Sequence, residues 1–159
     1  MDGITSVGAK FGYAIEATKG TKPTTFTQLT RINKLGGIDV SYEKIDASAL
    51  EDLLTKYIKG RGDTGGEFPV TVNLTDDTLT EWQTLITAYK TAKSDGKAVW
   101  FTTYLPDLAK GFFFTGEPPE TIPQPSLDQN GLVVADMNLI INDYKGPDTA
   151  IEPKPAGGA

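Results

Sequence analysis

The sequence predicts a mainly β protein carrying one helix, and three observations lead there. Apolar and polar residues alternate in several short runs, glycine and proline number 17 and 10 among 159 residues, and one segment alone repeats its apolar residues at helical spacing. A chain of this length fits a single domain that buries roughly 70% of the surface its unfolded form exposes.

The clearest strand places Phe68, Val70, Val72 and Leu74 on one face and Thr71, Asn73 and Thr75 on the other, with Pro69 suited to an edge or a strand start. Ile38, Val40 and Tyr42 alternate with Asp39, Ser41 and Glu43, and Phe11, Tyr13 and Ile15 share one side of the run 7–15. Each reads as a strand with one wet face. Residues 16–27 are polar and contain Gly20 and Pro23, which predicts a loop or a loose hairpin tip, and residues 28–35 suit a further short strand.

The helix follows from Leu79, Trp82, Leu85, Ile86 and Tyr89, which fall on one face, with Trp82 as the anchor onto a sheet. Thr78 with Glu81 matches a capping box, Asp76 and Asp77 suit the positive end of the helix dipole, and Asp95-Gly96 supplies a stop. Beyond it, residues 98–105 and 110–115 are apolar runs joined by a Pro106-Asp107 turn, predicting antiparallel neighbours. A long loop carries Pro118, Pro119, Pro123 and Pro125. The last strand, residues 132–142, has Val133, Ala135, Met137, Leu139 and Ile141 on one face. The organisation expected is one domain over residues 1–145 and a flexible tail over 146–159.

Histidine and cysteine are both absent, which removes the residues that most often shuttle protons, attack as nucleophiles or bind transition metals. No catalytic, cofactor or metal site is expected, and no enzyme. Gly60-Arg61-Gly62-Asp63-Thr64-Gly65 matches a dinucleotide fingerprint in letters, but a strand follows it where a helix N-terminus is needed. The Arg61-Gly62-Asp63 tripeptide and the Asn73-Leu74-Thr75 glycosylation pattern lack an export signal beside them. Neighbouring carboxylates at Glu51-Asp52 and Asp76-Asp77, and the nearby pair Glu117 and Glu120, have no apolar pocket implied around them.

A net charge of −6, from 21 acidic and 15 basic residues, opposes wrapping of nucleic acid through its phosphates. It leaves open DNA sliding past an acidic wall. The start, Met1-Asp2-Gly3-Ile4, has no basic segment and apolar run, and no stretch reaches the roughly 18 apolar residues of a membrane span. The expectation is a protein made in the cytoplasm without membrane insertion.

The segment 44–67 reads as a long loop between two strands, and its composition is unusual. It bears Leu50, Leu53, Leu54, Tyr57 and Ile58, more apolar surface than a free loop carries. Asp46, Glu51 and Asp52 precede Lys56, Lys59 and Arg61, giving an acidic half and a basic half. Such a loop suits a head-to-tail contact between identical copies, which can build a filament.

The order of Ile45-Asp46, an acidic run, Tyr57-Ile58 with Gly60, Asp63 with Gly65, the Phe68-Pro69-Val70 strand start and the helix with Trp82 resembles the tail tube proteins, or major tail proteins, of long-tailed bacteriophages, especially those of Gram-positive hosts. The resemblance spans about residues 7–143. It implies a β-sandwich or half-barrel with one flanking helix, whose copies close into hexameric rings that stack into a hollow conduit for DNA ejection. Leu50, Leu53, Leu54, Lys56, Tyr57, Ile58, Lys59 and Arg61 would then form an inter-ring loop that orders on the adjacent ring. Asp39, Ser41 and Glu43 become candidates for an acidic lumen past which DNA moves without specific binding. The partners implied are further copies, a tape-measure protein, and tail terminator and distal tail proteins, in a virion tail assembled in the host cytoplasm. The proline-rich loop 117–131 departs from the pattern by its length. Two other readings compete: the inner tube of a contractile injection or secretion apparatus, and a monomeric β-sandwich module that binds carbohydrate or a surface.

Overall fold

The computed structural model describes residues 3–155. Among them the elements run β1 (Lys10–Ile15), β2 (Thr27–Leu29), β3 (Ile32–Leu35), β4 (Ser41–Asp46), β5 (Tyr57–Asp63), β6 (Glu67–Phe68), β7 (Val70–Asn73), α1 (Asp76–Ser94), β8 (Val99–Tyr104), β9 (Lys110–Glu117), β10 (Val134–Asp136) and β11 (Leu139–Thr149). A six-stranded sheet has the order β2-β1-β8-β9-β11-β6, a three-stranded sheet the order β10-β7-β3, and β4 pairs with β5 alone. The fold is mainly β, a curled half-barrel sheet with one helix.

The chain passes between the two larger sheets at three corners. It crosses from β2 to β3 at Thr30-Arg31, from β6 to β7 at Pro69, and from β10 to β11 at Met137-Asn138. Proline has no N–H to give to a ladder, so Pro69 ends one pairing and permits the next. Arg31 turns the corner with φ at 56°. The Met137 N–H donates to the Val70 carbonyl at 2.7 Å, tying the third corner to the second.

The inward faces of both sheets meet in one core. Phe11, Phe101, Phe114, Phe68 and Leu139 of the large sheet pack with Val70, Val72 and Ala135 of the small one and with Trp82, Leu85 and Tyr89 of the helix. Ring centroids lie 5.8 Å apart for Phe11 and Phe101, 5.2 Å for Phe101 and Phe114, and 4.9 Å for Phe68 and Phe114. Such contacts each contribute about 0.5–1.5 kcal/mol beyond area burial. A second cluster on the outer face of the large sheet gathers Ala14, Phe26, Trp100 and Phe113, with Ile151 against it.

The helix starts three residues before the capping pair expected from the sequence. Thr75 is the N-cap, its hydroxyl accepting from the Thr78 N–H at 3.2 Å while the Thr78 hydroxyl accepts from the Thr75 N–H at 2.8 Å. Thr78 is buried inside the first turn, and Glu81 is thereby free to bond elsewhere. Asp95 caps the other end and Gly96 follows with φ at 72°, as the Asp95-Gly96 pair predicts.

Several predicted strands are divided. Residues 28–35 fall into β2 and β3, the run around Pro69 into β6 and β7, and residues 132–142 into β10 and β11, each pair in two sheets. The flexible tail expected from residue 146 is a correction: Gly146, Pro147, Asp148 and Thr149 pair with Phe113, Phe112, Gly111 and Lys110 of β9. Lys154 then bridges to Thr27, and Pro153 packs where a Cβ on Gly12 would stand 2.6 Å away. Residues 156–159 of that expected tail lie outside the described residues.

Candidate functional site: an exposed two-stranded arm

The segment 44–67, expected as a loop, is a β-hairpin. Ser41 pairs with Asp63, Tyr42 with Gly62, Lys44 with Lys59, Ile45 with Ile58 and Asp46 with Tyr57. A bulge places Gly60 and Arg61 opposite Glu43. A Cβ on Gly62 would stand 2.9 Å from the Tyr42 ring and from the Val40 side chain, and one on Gly60 3.1 Å from the Glu43 carbonyl. The glycines that read as loop punctuation therefore leave room for cross-strand neighbours to lie over the ribbon.

The tip, residues 47–56, is closed by its own polar groups. The Asp46 carboxylate accepts from the Ser48 N–H at 2.9 Å, the Lys56 N–H donates to the Ser48 hydroxyl at 2.7 Å, and the Asp52 carboxylate accepts from the Ala49 N–H at 2.7 Å. The bonds from Ser48 hold the Asp46 carboxyl below the ordinary aspartate range, and the bond from the Ala49 N–H, with Lys56 adding to it, does the same for Asp52. The Lys59 ammonium sits 4.2 Å from the centre of the Tyr42 ring.

What the tip does not satisfy is its apolar surface. Leu50, Leu53 and Leu54 are 106%, 100% and 80% exposed, and Tyr57, Ile58, Tyr42 and Ile45 are exposed as well. Burying one such leucine contributes about 1.5–3 kcal/mol, so a partner that covers three of them gains substantially. Among the described residues the arm pairs with no strand of the body.

The residues singled out in the sequence are thus brought together in two places. Leu50, Leu53, Leu54 and Lys56 stand on the tip, and Tyr57, Ile58, Lys59 and Arg61 on β5. The expected division of charge is partly resolved within the arm, since Lys56 pairs with Asp52 at 3.1 Å. Asp39, Ser41 and Glu43 are all exposed, but Asp39 precedes the strand and the other two lie on the arm. The half-buried strand proposed for residues 38–43 is a correction: β4 has no buried residue, and Ile38 and Val40 are half-buried outside any strand. Sequence reasoning missed Tyr42 as arm surface, because its alternation with Ile38 and Val40 was assigned to a half-buried strand, and it left Ile45 out of the apolar side chains counted on the loop. The dinucleotide reading of Gly60 to Gly65 finds no helix behind it; β6 follows. Among the described residues no group of acidic side chains could hold a metal ion, and no helix is long and apolar enough to cross a membrane.

No family model and no curated protein matches the sequence. Solved structures do match the fold. A chain from the tail of an empty GTA particle, refined with helical C6 symmetry, aligns over 79% of this chain and 86% of its own with a TM-score of 0.50 and 15% identity. A chain from the six-fold symmetrised baseplate of the anti-feeding prophage aligns over 91% and 95% with a TM-score of 0.50 and 9% identity. The chain shares its fold with these tail and baseplate proteins. At such low identity the likeness is one of fold alone.

Proposed function

We propose that the chain is a structural subunit of a phage-type tail, a tail tube protein whose copies form hexameric rings that stack into a hollow conduit. The observation that carries this reading is the arm, which displays three exposed leucines on a hairpin that the body does not cover. A monomer gains nothing from that surface, whereas a neighbouring copy can bury it. The tail-type fold supports the same conclusion, as does the free edge of β11: Gly66 and β6 pair with it only from Leu139 to Ile141, and no other strand among the described residues covers the rest of that edge.

In this reading the subunit catalyses nothing and inserts into no membrane. Asp39, Ser41 and Glu43 face the channel from the roots of the arms, and the excess of acidic residues lets DNA pass without adhering. A tape-measure protein fills the tube before ejection, terminator and distal tail proteins close its ends, and the tube resides in the virion tail after assembly in the host cytoplasm. Likeness to a chain of the anti-feeding prophage baseplate over 91% of this chain favours a second reading, the inner tube of a contractile apparatus.

Replacing residues 47–56 by a two-residue turn tests the role of the arm. Sedimentation should show a folded monomer that no longer forms rings or tubes, with unchanged circular dichroism from the body. Tubes of normal length from the shortened chain would sink the assignment.

A further inference from the structure

We propose that the leucine-bearing acidic tip of one copy seats in a groove at the β2–β3 corner of a second copy. The inference rests on the chain being an assembling subunit, and it names the surface that receives the arm. The groove measures about 670 Å³ and lies beside Arg31 and Lys34, with Leu29, Leu35 and Leu105 in its lining. Leu29 is fully buried, Leu35 and Leu105 are half-buried, Arg31 and Lys34 are exposed, and a third cation in the lining, Lys10, is paired with Glu152.

Charge is the first observation. The chain as a whole is acidic, with a net charge of −6, yet the groove has no carboxylate in its lining. Arg31 and Lys34 take part in no ion pair among the described residues. Glu51 on the tip is equally without a cation, while its neighbour Asp52 is held by Lys56. An acidic tip is repelled by most of this surface and attracted here, and apolar side chains line the groove for the leucines to meet.

Backbone strain is the second. Arg31 holds φ at 56°, a region that glycine enters freely and asparagine readily, and that costs an arginine free energy. The corner itself asks nothing of the side chain: the Arg31 carbonyl accepts from the Asn73 N–H at 2.9 Å, as any residue's would. An unfavourable conformation kept for a side chain that makes no hydrogen bond or ion pair among the described residues points to a use in the assembly.

Lys34→Glu and Glu51→Lys, made singly and together in the full chain, test the pairing by sedimentation across a concentration series. Each single change should raise the concentration needed for assembly about tenfold, and the double change should bring it back to within about threefold of wild type. Because the chain has no cysteine, Leu53→Cys with Lys34→Cys gives a direct readout under oxidation. A ladder of covalent oligomers extending past the dimer is expected from the double variant, and no more than dimers from either single one. Arg31→Gly should raise the unfolding midpoint while weakening assembly. A wild-type chain that never assembles overturns both this inference and the tail-subunit reading. Assembly of the wild type with no response to the single charge changes, or with no recovery in the double, overturns the groove alone, as does a cross-link confined within one chain.

Discussion

Glu81 on the helix grips Thr30 at the corner where the chain leaves the large sheet. Its carboxylate accepts from the Thr30 N–H at 2.7 Å and from the Thr30 hydroxyl at 2.6 Å and 2.9 Å. The helix is thereby fastened to the residue just before the strained Arg31. Glu81→Ala leaves the Thr30 N–H without its partner and should cost about 1.5–3 kcal/mol, as hydrogen bonds to charged groups do. Urea unfolding followed by tryptophan fluorescence measures it; a loss below about 0.5 kcal/mol, the level of an ordinary surface change, would show that the corner does not depend on this contact.

Acid should weaken the fold through Glu16. Its carboxylate takes the Ala98 N–H at 2.8 Å and the Trp100 indole N–H at 2.9 Å. Burial pushes this carboxyl up, but the bonds from Trp100, Ala98 and the Gly20 backbone, with the Lys145 charge, leave it below the ordinary glutamate value of 4.5. A carboxyl lowered on folding contributes stability above that ordinary value, and the contribution is lost as pH falls through the folded one. Urea midpoints should therefore drop below about pH 4.5, the ordinary glutamate pKa. Glu16→Gln should be less stable at pH 7 and show a flatter acid limb; an equally steep limb would assign the acid sensitivity to other carboxylates.

Gly62 lies at the base of the arm, one residue before the end of β5. A Cβ there would press on the Tyr42 ring and the Val40 side chain, both 2.9 Å away and both able to shift. Gly62→Val should therefore alter the surface of the ribbon while leaving the unfolding midpoint of the body within about 0.5 kcal/mol of wild type. Assembly should fall. Equal loss in the stability of the body would mean that the arm folds as part of the core.

Alternation in the sequence found the inward side chains of the body, but it took the second face of β1 as wet where Gly12 and Ala14 are buried, and it was blind to which sheet a residue joins. Phe68, Val70 and Val72 are all buried although Pro69 divides them between two sheets. Ala135, Met137, Leu139 and Ile141 behave likewise across the Met137-Asn138 corner. Both sheets point their inward side chains at one core, so the pattern continues through each corner. In the arm the same alternation at Tyr42 misled, because a hairpin with two wet faces needs no core side. The apolar content of Leu50, Leu53 and Leu54 was legible without any structure. The groove was not, since Leu29, Arg31, Lys34 and Leu105 come together only when β2 turns into β3 beside the end of β8.

The C-terminal segment extends the same lesson to stability. Its glycine and prolines suggested a loose tail, yet Ile151 covers Phe26 and Phe113, and Lys154 bridges to the edge strand β2. Ending the chain at Ala150 should cost about 2–4 kcal/mol, the range for emptying a packed apolar site, measured as a shift in the urea midpoint. A truncated chain as stable as the full one would show that this segment rests on the sheet without supporting it.

Electron microscopy of the purified full chain over a rising concentration series addresses the central claim most directly. Six-fold rings and hollow tubes built from them are the predicted result. A chain that remains a monomer at every concentration, with its arm uncovered, would contradict the account.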